Sequence, residues 1–191
     1  MKIAICQINP IVGDFDYNHN LLLKYYKKCI GLNADIIVFP ELIISGYPPQ
    51  DLLWEDGFVD QNLLNLNEIA SVSSIPIIFG FVRKENDRLF NSAAVCFNGK
   101  LQSTTDKILL PTYDVFDEAR YFCSATEHPV FELGGRKLAL AICEDLWNLP
   151  GFCGENRYDI DPMQKWTEDG GADLVVAISA SPFSLGRPRF R

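Results

Sequence analysis

Three residues able to do covalent chemistry each stand directly after a strand-like run. Glu41 follows Ile36-Ile37-Val38-Phe39-Pro40, Lys107 follows the polar-apolar stretch from Lys100 to Asp106, and Cys143 closes Lys137 to Ile142. In α/β folds, side chains at strand ends converge on the edge where ligands bind. A thiol, an amine and a carboxylate gathered there are equipped to attack a carbonyl or nitrile carbon through a covalent intermediate. In Ala141-Ile142-Cys143-Glu144-Asp145 a buried strand gives way to polar residues. Such a corner lifts a nucleophile into a cleft, and the N–H that follows, that of Glu144, can face a developing oxyanion. The neighbouring acids Glu144 and Asp145 oppose thiolate formation, whereas a nearby Lys107 ammonium favours it and can also stabilise the oxyanion. Glu41, between apolar residues and a Pro/Gly-rich loop, suits general base and acid work. Taken singly, each has an ordinary reading: a core thiol, a solvated lysine, a capping or ion-paired glutamate.

The elements that must position these residues alternate between strand and helix. Ile3 to Ile8 reads as a strand, and Leu21, Leu22, Tyr25, Tyr26, Cys29 and Ile30 recur at helical spacing, predicting an amphipathic helix over roughly 17–32. Ile36 to Phe39 is short, β-branched and wholly apolar, as a buried parallel strand should be. Gly46-Tyr47-Pro48-Pro49 must be a loop, because two prolines exclude helix and central strand alike. A second helix is expected over 61–73 and a strand over 75–81. Asn98-Gly99 and Gly134-Gly135 each lie between strand-like runs and predict tight hairpins, since a type I′ turn needs positive φ at both central positions. A long polar connection over 151–171, with a short helix around 163–168, leads to a last strand, Leu174 to Ile178. The chain then gives Ser181-Pro182-Phe183-Ser184-Leu185-Gly186-Arg187 and ends at Arg191 without a closing element, so a domain cut short is expected.

Composition narrows the function. The 191 residues can form one domain with a sizeable core, and 48% hydrophobic with 22% charged residues is ordinary for a soluble globular chain. A net charge of −8 leaves no basic surplus for a nucleic-acid backbone. No apolar run is long enough to span a membrane, and the N-terminus lacks the layout of a secretion signal, so a cytoplasmic location is expected. The cysteines at 6, 29, 96, 123, 143 and 153 form no Cys-x-x-Cys pair, and His19 and His128 are isolated, so no metal site is expected and no disulfide is required. Neither Gly134-Gly135 nor Gly170-Gly171 belongs to a phosphate-cradling motif.

The order Glu, Lys, Cys in these settings resembles the nitrilase, or carbon–nitrogen hydrolase, superfamily. The longer strings look like one branch, the glutamine amidotransferase domain of glutamine-dependent NAD synthetases. They are Pro40-Glu41-Leu42 with Tyr47-Pro48-Pro49-Gln50-Asp51-Leu52-Leu53, the Lys107 to Tyr113 segment with Phe116-Asp117-Glu118, Cys143-Glu144-Asp145-Leu146-Trp147, and Ser179-Ala180-Ser181-Pro182-Phe183. The resemblance runs over almost the whole chain and implies an αββα sandwich whose C-terminal part is missing. It implies glutamine amide hydrolysis, with Glu41 as base and acid, Cys143 as nucleophile, and Lys107 with the Glu144 N–H at the oxyanion. By position, Tyr113, Glu118 and Ser179 would contact L-glutamine, with Tyr47 near the pocket wall. No cofactor is implied for this chain. ATP and Mg belong to a separate C-terminal synthetase domain that would receive the ammonia, and a homo-oligomer is implied at full length. Two other functions stay open: a stand-alone amidase or nitrilase acting on a small amide, and a fragment that keeps the residues but lacks a complete site.

Overall fold

The computed structural model describes residues 1–127, 129–148, 158–182 and 185. His128, Cys153, Phe183 and most of the segment after it lie outside the described residues.

Two sheets form the centre. In the first, β1 (Ile3–Ile5), β2 (Ile36–Val38) and β3 (Ile77–Glu85) run parallel, and β4 (Arg88–Phe97) and β5 (Lys100–Asp106) continue as an antiparallel meander. In the second, β6 (Val130–Leu133) pairs antiparallel with β7 (Arg136–Ile142), which pairs parallel with β8 (Leu174–Ile178). Alternation along the strands decides which side chains go where. Ile36, Val38, Ile78, Ala93 and Val95 of the first sheet meet Leu138, Leu140, Ile142, Val176 and Ile178 of the second in one buried cluster between the sheets. On the opposite face of the first sheet, Ile37, Phe79 and Phe81 pack against Leu22, Tyr26, Leu66 and Ile69 of α1 (Phe15–Gly31) and α2 (Phe58–Val72). The outer face of the second sheet, at Ala139 and Ala141, is covered by Trp166, fully buried in the short helical segment α3 (Pro162–Gln164) and the wider turn Lys165–Asp169 that continues it. The order is therefore helix, sheet, sheet, helix, with a thin fourth layer.

Most local expectations hold. Asp14 caps α1 by accepting the Tyr17 N–H at 3.0 Å, which starts the helix two residues before the apolar spacing does. Asn98 and Gly99 have φ of 54° and 70°, and Gly134 and Gly135 have 60° and 74°, as the two predicted turns require. β1 stops at Ile5 rather than Ile8, although the Cys6 N–H still reaches the Val38 carbonyl at 2.8 Å. β3 runs on to Glu85 because its polar end pairs with β4 across a turn at Asn86, where φ is 55°. That extension is invisible to an apolar count. No described helix is long and apolar enough to cross a membrane.

Candidate active site

Each predicted residue leaves a strand at the same edge. Glu41 opens the turn after β2 and is fully buried. Its main chain lies directly on Gly80 of β3, where an added Cβ would come within 2.1 Å of the Leu42 nitrogen and 2.6 Å of the Glu41 Cα. Only glycine permits that approach. Lys107 leaves β5, its N–H held by the Asn91 carbonyl of β4 at 2.8 Å. Cys143 leaves β7 at the start of a 3-10 turn, Cys143–Leu146, with φ of 49°. A non-glycine residue in that region costs roughly 1–3 kcal/mol, so the surrounding contacts must hold it there.

The first sheet supplies a buried ionic cluster. Lys107 Nζ donates to Glu41 Oε1 at 2.9 Å and to Glu118 Oε1 at 2.8 Å, with the three side chains at most 5% exposed. Asn91 Nδ2 also donates to Glu41 Oε1, at 2.8 Å, and the Ala180 N–H donates to Glu41 Oε2, at 2.8 Å. Tyr47 Oη donates to Glu118 Oε1 at 2.7 Å. Burial alone would push the Lys107 ammonium down, but the Glu41 and Glu118 carboxylates beside it hold it above its ordinary value, so it stays charged. Burial raises the Glu118 carboxyl, against the pull of Lys107. The Tyr47 hydroxyl is driven far up by burial and by the Glu118 charge, so it remains a donor.

The second sheet supplies the thiol. Cys143 Sγ lies 3.4 Å from Ser181 Oγ, which is 2.7 Å from Ser179 Oγ. Burial, then the Glu41 charge, push the Cys143 thiol up to about 11, while Lys107 and the two serine hydroxyls pull it down. At neutral pH it is therefore a thiol and needs a base to become a nucleophile. Glu41 has that capacity: of its four lone-pair positions three take the hydrogen bonds above, leaving one on Oε2. Lys107 likewise has three N–H bonds and spends two on carboxylates, leaving one open among the described residues.

The other expected contacts divide between the two halves. Tyr113 Oη donates to Glu144 Oε2 at 2.7 Å, and Tyr158 Oη donates to Glu144 Oε1 at 3.2 Å. Tyr47 and Glu118 instead belong to the lysine side and line a small hollow with Pro48, Phe116 and Tyr121. From sequence, Glu144 stands out for its backbone N–H and, with Asp145, as a charge beside the thiol, whereas Asn91, Ser181 and Tyr158 are passed over. A signal existed for Asn91, a polar residue inside the apolar run Leu89 to Val95 of β4.

The chain belongs to the carbon–nitrogen hydrolase family, which residues 2–149 match. Its curated relatives include the glutamine-dependent NAD(+) synthetases of Synechocystis, 38% identical over 99% of this chain and 35% of the relative, and of Acinetobacter baylyi, 34% identical over 100% and 33%. The chain thus spans about a third of the length of the relatives it matches. Among solved structures, the glutamine-dependent NAD+ synthetase of Acinetobacter baumannii superposes with a TM-score of 0.88 at 32% identity, over 98% of this chain and 34% of that one. A nitrilase-superfamily amidase of Nesterenkonia shares the fold, with a TM-score of 0.79 at 21% identity over 97% and 67%.

Proposed function

We propose that this domain hydrolyses the side-chain amide of L-glutamine and delivers ammonia to an ATP- and Mg-dependent synthetase domain that amidates deamido-NAD. The observation that carries the proposal is the fully buried Lys107 bonded to Glu41, which accepts the Ala180 N–H, one residue before the Ser181 whose Oγ lies 3.4 Å from the Cys143 sulfur. That arrangement joins a base, an oxyanion donor and a nucleophile; the relatives named above supply the substrate.

In this mechanism Glu41 takes the Cys143 proton as sulfur attacks the amide carbon. The free N–H of Lys107 and the Glu144 N–H hold the oxyanion. Collapse of the tetrahedral intermediate breaks the carbon–nitrogen bond, and Glu41 returns its proton to the departing ammonia. Water, deprotonated by Glu41, then cleaves the thioester to glutamate and the free thiol. Glu118, whose Oε2 has no partner among the described residues, would meet the substrate α-ammonium, and Tyr113 would contact the substrate from beside Glu144. Ser179, bonded to Ser181, would also contact glutamine, and Tyr47, which donates to Glu118, would stand at the pocket wall. A reducing, cytoplasmic setting suits a catalytic thiol.

The test uses the full-length gene product with Cys143→Ala. Glutamine-dependent NAD formation should be lost while added ammonia still supports it. Glutamine continuing as nitrogen donor would remove Cys143 from the nucleophile role.

A further inference from the structure

Asp145 is buried to 1% exposure, two residues beyond the thiol, and takes no part in the chemistry described above. Its carboxylate is filled by main-chain donors. Oδ1 accepts the N–H groups of Ile108 at 3.1 Å and Leu109 at 2.8 Å, and Oδ2 accepts the N–H of Ile142 at 3.0 Å. Two of these donors follow Lys107 directly, and the third precedes Cys143 directly. Lys107 leaves the first sheet and Cys143 leaves the second, and among the described residues no strand pairing joins those sheets. Apolar packing between sheets sets their spacing but tolerates sliding; hydrogen bonds with fixed directions do not.

We propose that Asp145 is a positioning residue for this site, its carboxylate tying the Lys107 segment of one sheet to the Cys143 turn of the other and so fixing the ammonium relative to the sulfur. The assignment rests on the amide-hydrolysis mechanism above. Three features support it. β6 pairs with β7 only as far as Ala139, so Asp145 binds the strand beyond that ladder. Cys143 has positive φ, and a bond to Ile142 from within the following turn holds the corner closed. The site also demands a carboxylate: three N–H donors converge on two oxygens, a load an amide cannot carry because its nitrogen would face one donor with another. Burial pushes the Asp145 carboxyl up to about 7, and the same three N–H groups pull against that rise.

The decisive comparison is between bare charge and geometry. If Asp145 acted on Cys143 only as a nearby negative charge, Asp145→Asn would lower the thiol pKa and leave turnover intact. If it positions Lys107 against sulfur, the same variant weakens the ammonium's pull and the thiol pKa rises. In the full-length protein, Asp145→Asn is therefore expected to lower kcat for glutamine hydrolysis about 100-fold, the scale of an ångström-sized misplacement. KM should stay within about threefold, because the substrate contacts lie elsewhere. The pH profile of Cys143 alkylation by iodoacetamide, followed by mass spectrometry, should move to higher pH. A kcat within about threefold of wild type, or an alkylation profile moved to lower pH, would overturn the proposal. Should the variant not fold, amide hydrogen exchange in the wild type decides: the Ile108, Leu109 and Ile142 amides are expected to be strongly protected, and rapid exchange at them overturns the staple. A wild-type protein that releases no ammonia from glutamine would instead overturn the mechanism, and the alkylation profiles would still report on Asp145.

Discussion

The two sheets contribute opposite kinds of environment to one site. On the first, Glu41, Lys107 and Glu118 form a buried ionic cluster bonded to one another and to Asn91, Tyr47 and Ala180, with Glu118 Oε2 left without a partner among the described residues. On the second, Cys143 is held at a positive-φ corner as a neutral thiol, with hydroxyl groups for neighbours. The work divides accordingly. The ionic half is arranged before substrate arrives and, among the described residues, keeps one Lys107 N–H, one Glu41 lone pair and the whole of Glu118 Oε2 in reserve. The thiol itself is uncharged until reaction begins, so charge develops where preorganised donors already point. A preformed thiolate beside Glu41 would add a second negative charge against the first; a thiol deprotonated only during attack avoids that repulsion.

The largest expected effect comes from removing the centre of the ionic half. Lys107→Met leaves Glu41 and Glu118 facing each other without a counter-ion, in a place with almost no solvent. Breaking a buried pair in this way destabilises by about 3–5 kcal/mol, measurable by chemical denaturation, and glutamine hydrolysis should vanish. Lys107→Met combined with Glu118→Gln removes one of the stranded charges and should recover part of the stability but none of the activity. Equal stability of the single and double variants would show that the ionic cluster is not what makes the site costly to disrupt.

A smaller effect is expected at the edge of the thiol half. Tyr113→Phe deletes one of the two hydroxyl donors that the described residues give Glu144. One such bond contributes about 1 kcal/mol net, so KM for glutamine should rise about fivefold while kcat stays nearly unchanged. A fall in kcat with unchanged KM would move Tyr113 from substrate binding to catalysis and blur the division between the halves.

What the sequence made legible follows the same boundary. Ile36 to Phe39 and Lys137 to Ile142 are apolar runs ended by a reactive residue, and both turned out to be buried strands leading to the site. Asn98-Gly99 and Gly134-Gly135 carry their turn geometry in their own residues. Partnerships across the fold carry no such local mark. Asn91 reaches Glu41 fifty positions away, and Asp145 reaches Ile108 and Leu109 from the other sheet, because strand register and sheet packing put them there. Gly80 is unremarkable in Phe79-Gly80-Phe81 until the main chain of Glu41 is laid over it. Tyr158 belongs to a stretch with little periodicity, and its contact with Glu144 depends on Asn148 holding the Tyr158 and Ile160 carbonyls at 2.8 Å and 2.7 Å.

The subtlest prediction separates the two halves by making them respond in opposite directions. Burial and the Glu41 charge raise the Cys143 thiol to about 11. Because the thiolate is the reactive form, alkylation of Cys143 by iodoacetamide should climb about tenfold per pH unit from neutrality and level off only near that value. Glu41→Gln removes the negative charge while keeping the shape of the side chain. The thiol pKa then falls, so alkylation at pH 8 should become roughly threefold to tenfold faster, the effect of about half to one pKa unit. Glutamine turnover should disappear in the same variant, because nothing remains to accept the thiol proton or return it to ammonia. Faster alkylation with abolished turnover is the signature of a base that also restrains its nucleophile. Slower alkylation in Glu41→Gln would mean that Glu41 deprotonates Cys143 before substrate binds, and the sulfur would then be charged at rest.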